Sequence, residues 1–241
     1  ASRAGAQQDH KMANTFDLEE QEQLAELKHF WDQWGNLITW VLIVVFGAIA
    51  GYNGWNYWQR TQSLQASALF DELDRAAAAG EMPRVERAFT DIRDKFPRTA
   101  YAHQAGLLAA KLEEAKGNKD AAKAALTWVA ENAGDEGYQA VARLRLAALL
   151  VDAKQYDEAL KQLAANIPPQ FEALAADRRG DIYELQGKKA DAKAEYLKAW
   201  KGLAEDNEYR QLVEVKLTAL GVDVHQLAPA PANAASGAAK S

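Results

Sequence analysis

The 241-residue chain contains no cysteine. Disulfides, thiolate nucleophiles and cysteine-based zinc sites are therefore excluded, and an oxidising compartment is compatible with the sequence without being established by it. Proline is scarce, with six residues. Ala, Leu, Glu, Lys and Gln dominate instead, which leads to an all-α expectation. No basic surplus exists: the formal net charge is -6, so there is nothing to displace counterions from phosphates, and no nucleic-acid partner is expected.

Signatures of chemistry are also missing. The four histidines (His10, His29, His103, His225) are far apart and form no metal-binding pair. Neither a phosphate-cradling glycine loop nor a nucleophile elbow occurs. Adjacent carboxylates such as Glu113-Glu114 and Asp157-Glu158 cannot face each other on a helix, and both pairs are expected on polar helix faces. No catalytic residue, cofactor or metal is assigned, and an enzyme is not expected.

What is present begins with an uneven charge. Between Met12 and Asp32 six acids stand against Lys28 alone, whereas Arg60 to Leu227 carries 24 bases and 27 acids. The acidity thus belongs to an N-terminal tail, residues 12–33. Residues 1–11 precede a Met and show no periodicity, and are read as an expression remnant or an over-long translation start.

No charge occurs between Asp32 and Arg60. Residues 34–58 are therefore expected to form a transmembrane helix. As a helix, Leu37 to Tyr57 would rise roughly 31 Å, the thickness of a hydrocarbon core. Trp31, Trp34 and Trp40 stand at one end and Tyr52, Trp55, Tyr57 and Trp58 at the other, as aromatic belts in the two headgroup layers of membrane lipid would. Ala48-Ile49-Ala50 resembles a signal-peptidase site, but the preceding region is long and acidic where a signal peptide is short and basic. Charge does not orient the span, because Lys28 before it is balanced by Arg60 after it. Gly47, Gly51 and Gly54 share one stripe. They reflect either the frequency of glycine in membrane helices or, with Trp55, a docking face for a partner helix.

Beyond the span a helix-turn-helix unit recurs. Residues 63–79 form the first helix, with Leu64, Ala68, Leu69, Leu73 and Ala76 on one face. Turn positions Gly80, Gly117, Lys154 and Gly187 are spaced 37, 37 and 33 residues apart, close to the 34-residue tetratricopeptide period. Five residues past each turn stands Val85, Ala122, Ala159 or Ala192, and nine past stands Phe89, Leu126, Leu163 or Tyr196. The fourth unit matches best, through Gly180, Tyr183, Gly187, Ala192, Tyr196 and Ala199. Gly180, like Ala110 and Ala147 at the equivalent points, admits a close helix crossing. The bulky residue then fills the gap to the next unit, since a lone hairpin leaves an apolar face uncovered. The expected domain, residues 61–222, is a tetratricopeptide-like α-solenoid of about four hairpins, capped by a helix over 206–220. Residues 228–241, rich in Ala and Pro, are expected to be disordered.

Stacks of this kind hold peptides or partner helices along a concave side formed by the first helix of each hairpin. Polar positions on those helices (Lys111, Glu114, Asp177, Asp181 and Glu184) are the candidate groove residues, or else ordinary solvated side chains.

In layout the chain resembles the YfgM family, the ancillary subunits of the bacterial SecYEG translocon. The resemblance runs from Thr15 to Val222. It rests on the acidic tail, on the span ending in Gly54-Trp-Asn-Tyr-Trp58, and on Arg143-Leu-Arg-Leu-Ala147. It continues through Lys154-Gln155, Ala159-Leu160-Lys161, Ala176-Asp177-Arg178-Arg179-Gly180, Gly187-Lys188 and Ala192. It implies a single-pass inner-membrane protein with a cytoplasmic N-terminus and a periplasmic repeat domain. The implied partners are the SecYEG translocon, a membrane-anchored periplasmic chaperone and unfolded exported proteins. Two other functions fit the same layout: a membrane-bound regulator whose acidic tail binds a signalling protein, and a scaffold for cell-envelope assembly.

Overall fold

The computed structural model describes the backbone of residues 6–224 and the side chains of residues 28–224. Residues 1–5 and the tail 228–241 lie outside the described residues, as does the disorder expected of that tail. Regular structure among the described residues is helical throughout: α1 (Ala6–Ala78), α2 (Met82–Lys95), α3 (Ala100–Ala115), α4 (Lys119–Asn132), α5 (Glu136–Asp152), α6 (Tyr156–Ala164), α7 (Pro169–Leu185), α8 (Lys189–Gly202) and α9 (Glu208–Ala219). The chain divides into two compact units, Ala1–Thr61 and Gln62–Ser241.

The sequence pattern separates a leader, a tail and a span within the first unit, and a new helix at residue 63. From residue 6 to residue 78 these segments lie within one helix, α1, which is 73 residues long. The physical reason is that no proline precedes Pro83, and isolated glycines weaken a helix without stopping it. Within α1, the stretch from Lys28 is long and apolar enough to cross a membrane.

In the second unit, residues 62–78 of α1 and helices α3, α5, α7 and α9 are first helices; α2, α4, α6 and α8 are second helices. What ends each first helix is the same turn. Gly80, Gly117, Lys154, Gly187 and Gly221 all have positive φ, from 59° to 82°. The following amide reaches back across the turn in every case: Glu81 to the Ala76 carbonyl, Asn118 to Glu113, Gln155 to Leu150, Lys188 to Tyr183 and Val222 to Leu217, at 2.8–3.0 Å. This is the Schellman closure, and it satisfies carbonyls that the helix end would otherwise orphan. The second helices then begin two residues past the turn. Pro83 sits in the first turn of α2, where its missing N–H is harmless.

Burial follows the repeat. Val85, Ala122, Ala159 and Ala192 are fully buried, and Phe89, Leu126, Leu163 and Tyr196 are fully or nearly fully so. Each buried leucine of this set contributes roughly 1.5–3 kcal/mol. One apolar cluster joins the first three hairpins and runs into α7. A second joins α7, α8 and α9 through Ala176, Tyr196, Val213 and Leu217. The first repeat departs from expectation: Leu64 and Ala68 are exposed, and the buried stripe is Ala66, Leu73 and Ala76.

α3 touches α5 and α5 touches α7, while α4, α6 and α8 pack on first helices and not comparably on one another. The first helices thus form one layer, in contact along α3, α5 and α7, and the second helices form the other.

Candidate functional site

Along α1 the apolar stretch is open on all sides. Val44 and Phe46 are each 65 % exposed and Trp40 is 61 % exposed, whereas a helix of a soluble core would bury such residues. A Cβ added at Gly47, Gly51 or Gly54 would meet nothing within 4 Å. Trp55 stacks in a tilted pair with Trp58, ring centroids 5.2 Å apart. The glycine stripe is thus a flat, unoccupied strip beside an aromatic end.

In the fourth hairpin, α7 and α8 approach closely at Gly180. A Cβ on Gly180 would stand 2.5 Å from two carbons of the Tyr196 ring. Gly106 on α3 is an equally close crossing against α4, where a Cβ would stand 2.5 Å from Val129 Cγ2. Ala192 is fully buried, and Tyr183 packs on the same cluster with Lys188 Nζ 5.8 Å from its ring centre.

The five candidate groove residues divide. Lys111, Glu114 and Glu184 are exposed on the first-helix layer, and Asp181 is partly exposed. Asp177 is not: it is fully buried and does not line a groove. Its Oδ1 and Oδ2 accept from Lys216 Nζ at 2.8 and 3.0 Å, and Oδ2 also accepts from the Tyr209 hydroxyl at 2.6 Å. Lys216 reaches Asp181 Oδ1 at 2.6 Å and lies 5.2 Å from the Tyr196 ring centre. With Glu184, three carboxylates, one ammonium and two phenols therefore tie α7 to α8 and α9. Lys216 takes the place between the Asp177 and Asp181 carboxylates that a bound cation would need.

The Tyr196 hydroxyl lies 2.8 Å from Asp181 Oδ1 and 2.9 Å from Glu184 Oε2. It has a single proton to donate, so it serves one carboxylate at a time. Burial, reinforced by those two carboxylates, pushes the Tyr196 phenol far above its ordinary range. Burial and Asp177 raise Tyr209 in the same way. Both phenols stay protonated and act as donors.

Arg179, next to Gly180, bonds Glu195 on α8 at 2.8 Å, Glu172 at 2.5 Å and the Leu163 carbonyl at the end of α6 at 2.9 Å. Burial alone would lower its pKa, but the two carboxylates outweigh it and the net shift is upward. The Arg179-Gly180-Asp181 tripeptide is accordingly occupied by packing and ion pairing inside α7. Glu113, expected on a polar face, is buried instead; its Oε2 accepts from Asn118 Nδ2 at 2.8 Å. The carboxylate faces the turn after α3 and braces it. Among the described residues no group of three or more His, Asp or Glu side chains is placed to hold a metal ion.

Comparison with known proteins agrees with this architecture. The family model described as a tetratricopeptide repeat-like domain matches residues 28–222. The chain is 30 % identical to an ancillary SecYEG translocon subunit of Neisseria gonorrhoeae, over 84 % of this chain and 98 % of that protein. Proteins of the same description from Haemophilus influenzae and Escherichia coli K12 are 29 % and 27 % identical, covering 85 % and 84 % of this chain and 99 % and 97 % of their own lengths.

Proposed function

The chain belongs to the ancillary SecYEG translocon subunits with a tetratricopeptide repeat-like domain, and from that premise we propose that it is a membrane-anchored protein-binding scaffold at the translocon. The apolar stretch of α1 is the inner-membrane anchor, with residues 12–33 in the cytoplasm and the repeat domain in the periplasm. The anchor docks laterally on translocon helices along Gly47, Gly51 and Gly54, with Trp55 at the rim. The layer of first helices links the translocon to a membrane-anchored periplasmic chaperone and assists emerging exported proteins. The family assignment makes it a scaffold and not an enzyme.

The observation that carries this reading is the exposure of the apolar stretch of α1, which a bilayer and a partner helix would cover and water would not. Photo-crosslinkers at Gly47 and Trp55 in intact membranes are expected to trap translocon helices, and crosslinkers at Lys111 or Glu184 to trap periplasmic proteins. Reporters fused at Ser2 and Ser236 are expected to place the two ends on opposite sides of the membrane. Absence of both kinds of crosslink, or a cytoplasmic repeat domain, would overturn the proposal.

A further inference from the structure

α9 is built as a first helix but lacks the second helix that completes a hairpin. It closes in the same left-handed turn as the others, with Gly221 at φ 77° and the Val222 amide on the Leu217 carbonyl at 3.0 Å. The residues that follow are not those of a second helix: Pro229 and Pro231 stand eight and ten past the turn, where proline costs a helix interior about 3 kcal/mol. In α7 the position seven before the turn, Gly180, is covered by Tyr196 of its own second helix. The positions ten and six before it, Asp177 and Asp181, are covered by the next first helix through Lys216. On α9 these three positions are Gln211, Glu214 and Val215. With Thr218 and Ala219 they line an open cavity of about 710 Å³, and Val215 is 66 % exposed.

Charge on this face is one-sided. Glu208, Gln211, Val215 and Thr218 follow one another at helical spacing and form a single stripe. Glu208 and the neighbouring Asp206 are exposed and form no ion pair among the described residues. Neither base of α9 is available to neutralise them. Arg210 lies over the Trp200 ring at 4.2 Å with its side chain 17 % exposed, and Lys216 is held by Asp177 and Asp181. An antiparallel second copy of α9 would bring these carboxylates to Thr218–Gly221, which offers no cation. The charge therefore calls for a different helix.

Resting on the scaffold reading above, we propose that α9 takes a helix of another protein in the place of its missing second helix. The chemistry of that helix follows from the slot. Its length is about that of α2, α4 and α8, 14 residues each. It runs antiparallel to α9, as a second helix does to its first, so its C-terminal end lies beside Glu208 and Asp206. Small or apolar residues face Val215 and Ala219, and Lys or Arg in the last turn meets the two carboxylates while complementing the helix's own dipole. Gln211 and Thr218 keep the slot soluble when it is empty.

The test uses the full chain in lipid nanodiscs and fluorescent amphipathic helical peptides of the length of α8. One carries two Lys in its last turn, one the same Lys pair in its first turn, and one two Glu in its last turn. The peptide with Lys in its last turn is expected to bind about fivefold more tightly than the others at low salt. A photoreactive side chain at Val215 is expected to capture it. Glu208→Lys is expected to invert the preference between the peptides ending in Lys and in Glu, a change that loss of fold would not produce. Equal binding of the three peptides, or an unchanged preference in Glu208→Lys, overturns the proposal. So does capture at Val215 of a second copy of the chain, or of its own residues 225–241, in place of the peptide. Crosslinking from Trp55 to translocon helices, measured on the same protein in its native membranes, separates the two readings. If it persists while the peptides fail, only the α9 assignment falls; if it fails too, the scaffold reading falls with it.

Discussion

The ring of Tyr196 occupies the space where a side chain on Gly180 would begin. A methyl there would sit 2.5 Å from Cδ1 and Cε1 of the ring, and the ring cannot swing away, because its hydroxyl is held by Asp181 and Glu184. Gly180→Ala gains roughly 1 kcal/mol of helix propensity but forces an overpacked core, at a cost of about 1–3 kcal/mol or more. Net destabilisation is expected, seen as a lower Tm. Gly47→Ala, with nothing within 4 Å, is expected to leave Tm unchanged.

Asp177 governs the end of the stack. Removing it strands Lys216 beside Asp181 alone and leaves the Tyr209 hydroxyl without its acceptor. Breaking a buried pair costs about 3–5 kcal/mol. Lys216 keeps a second partner and some exposure, so Asp177→Ala is expected at the lower end of that range. Hydrogen exchange should show where the loss falls: protection is expected to drop over 208–219 and to persist in α3 to α6. Uniform loss across all helices would show that α9 is not a separable unit.

How much of this was legible in the sequence depended on the range of the interaction. The turns were legible because the left-handed conformation selects glycine and its register recurs; even Lys154 was found from spacing alone. Gly180 and Tyr196 followed from the same register. The burial of Asp177 was not, since its partner Lys216 is 39 residues away, and neither residue carries a local sign of pairing. Glu113 was missed because its partner Asn118 lies across a turn. The fifth turn at Gly221 comes 34 residues after Gly187. It went unrecognised because no second-helix pattern follows it: Gln226 stands five residues on, and Pro229 interrupts. Glu214 also replaces the small crossing residue found at Ala110, Ala147 and Gly180, so α9 ends the stack.

Lys154 is the one turn residue of the five that bears a side chain, at φ 59°. The left-handed region costs an L-residue roughly 1–2 kcal/mol, some of which glycine gives back as unfolded-chain entropy. Lys154→Gly is therefore expected to stabilise the domain by about 0.5–1 kcal/mol. Gly187→Ala, at φ 74°, is expected to destabilise it by about 1 kcal/mol. Thermal unfolding of both variants checks the pair. Shifts of the same sign would contradict the turn assignment.

His103 makes the repeat domain sensitive to mild acid. It is buried between the rings of Trp128 and Tyr138, at 5.9 and 5.8 Å between centroids. Its Nε2 lies 3.1 Å from the Pro97 carbonyl, which only accepts, so Nε2 carries the proton and donates. Burial is the largest influence and lowers its pKa from the ordinary 6.5, against smaller upward pulls from the Pro97 carbonyl and Asp135. Between that ordinary value and the lower native one, the unfolded chain takes up a proton that the folded chain refuses. The contribution to stability is thus complete above pH 6.5 and is lost as pH falls through the native pKa. Between pH 6.5 and the lower native pKa, Tm is expected to fall more steeply in the native sequence than in His103→Gln, whose amide can still donate to Pro97. Parallel pH profiles for the two proteins would exclude His103 as the source of the slope.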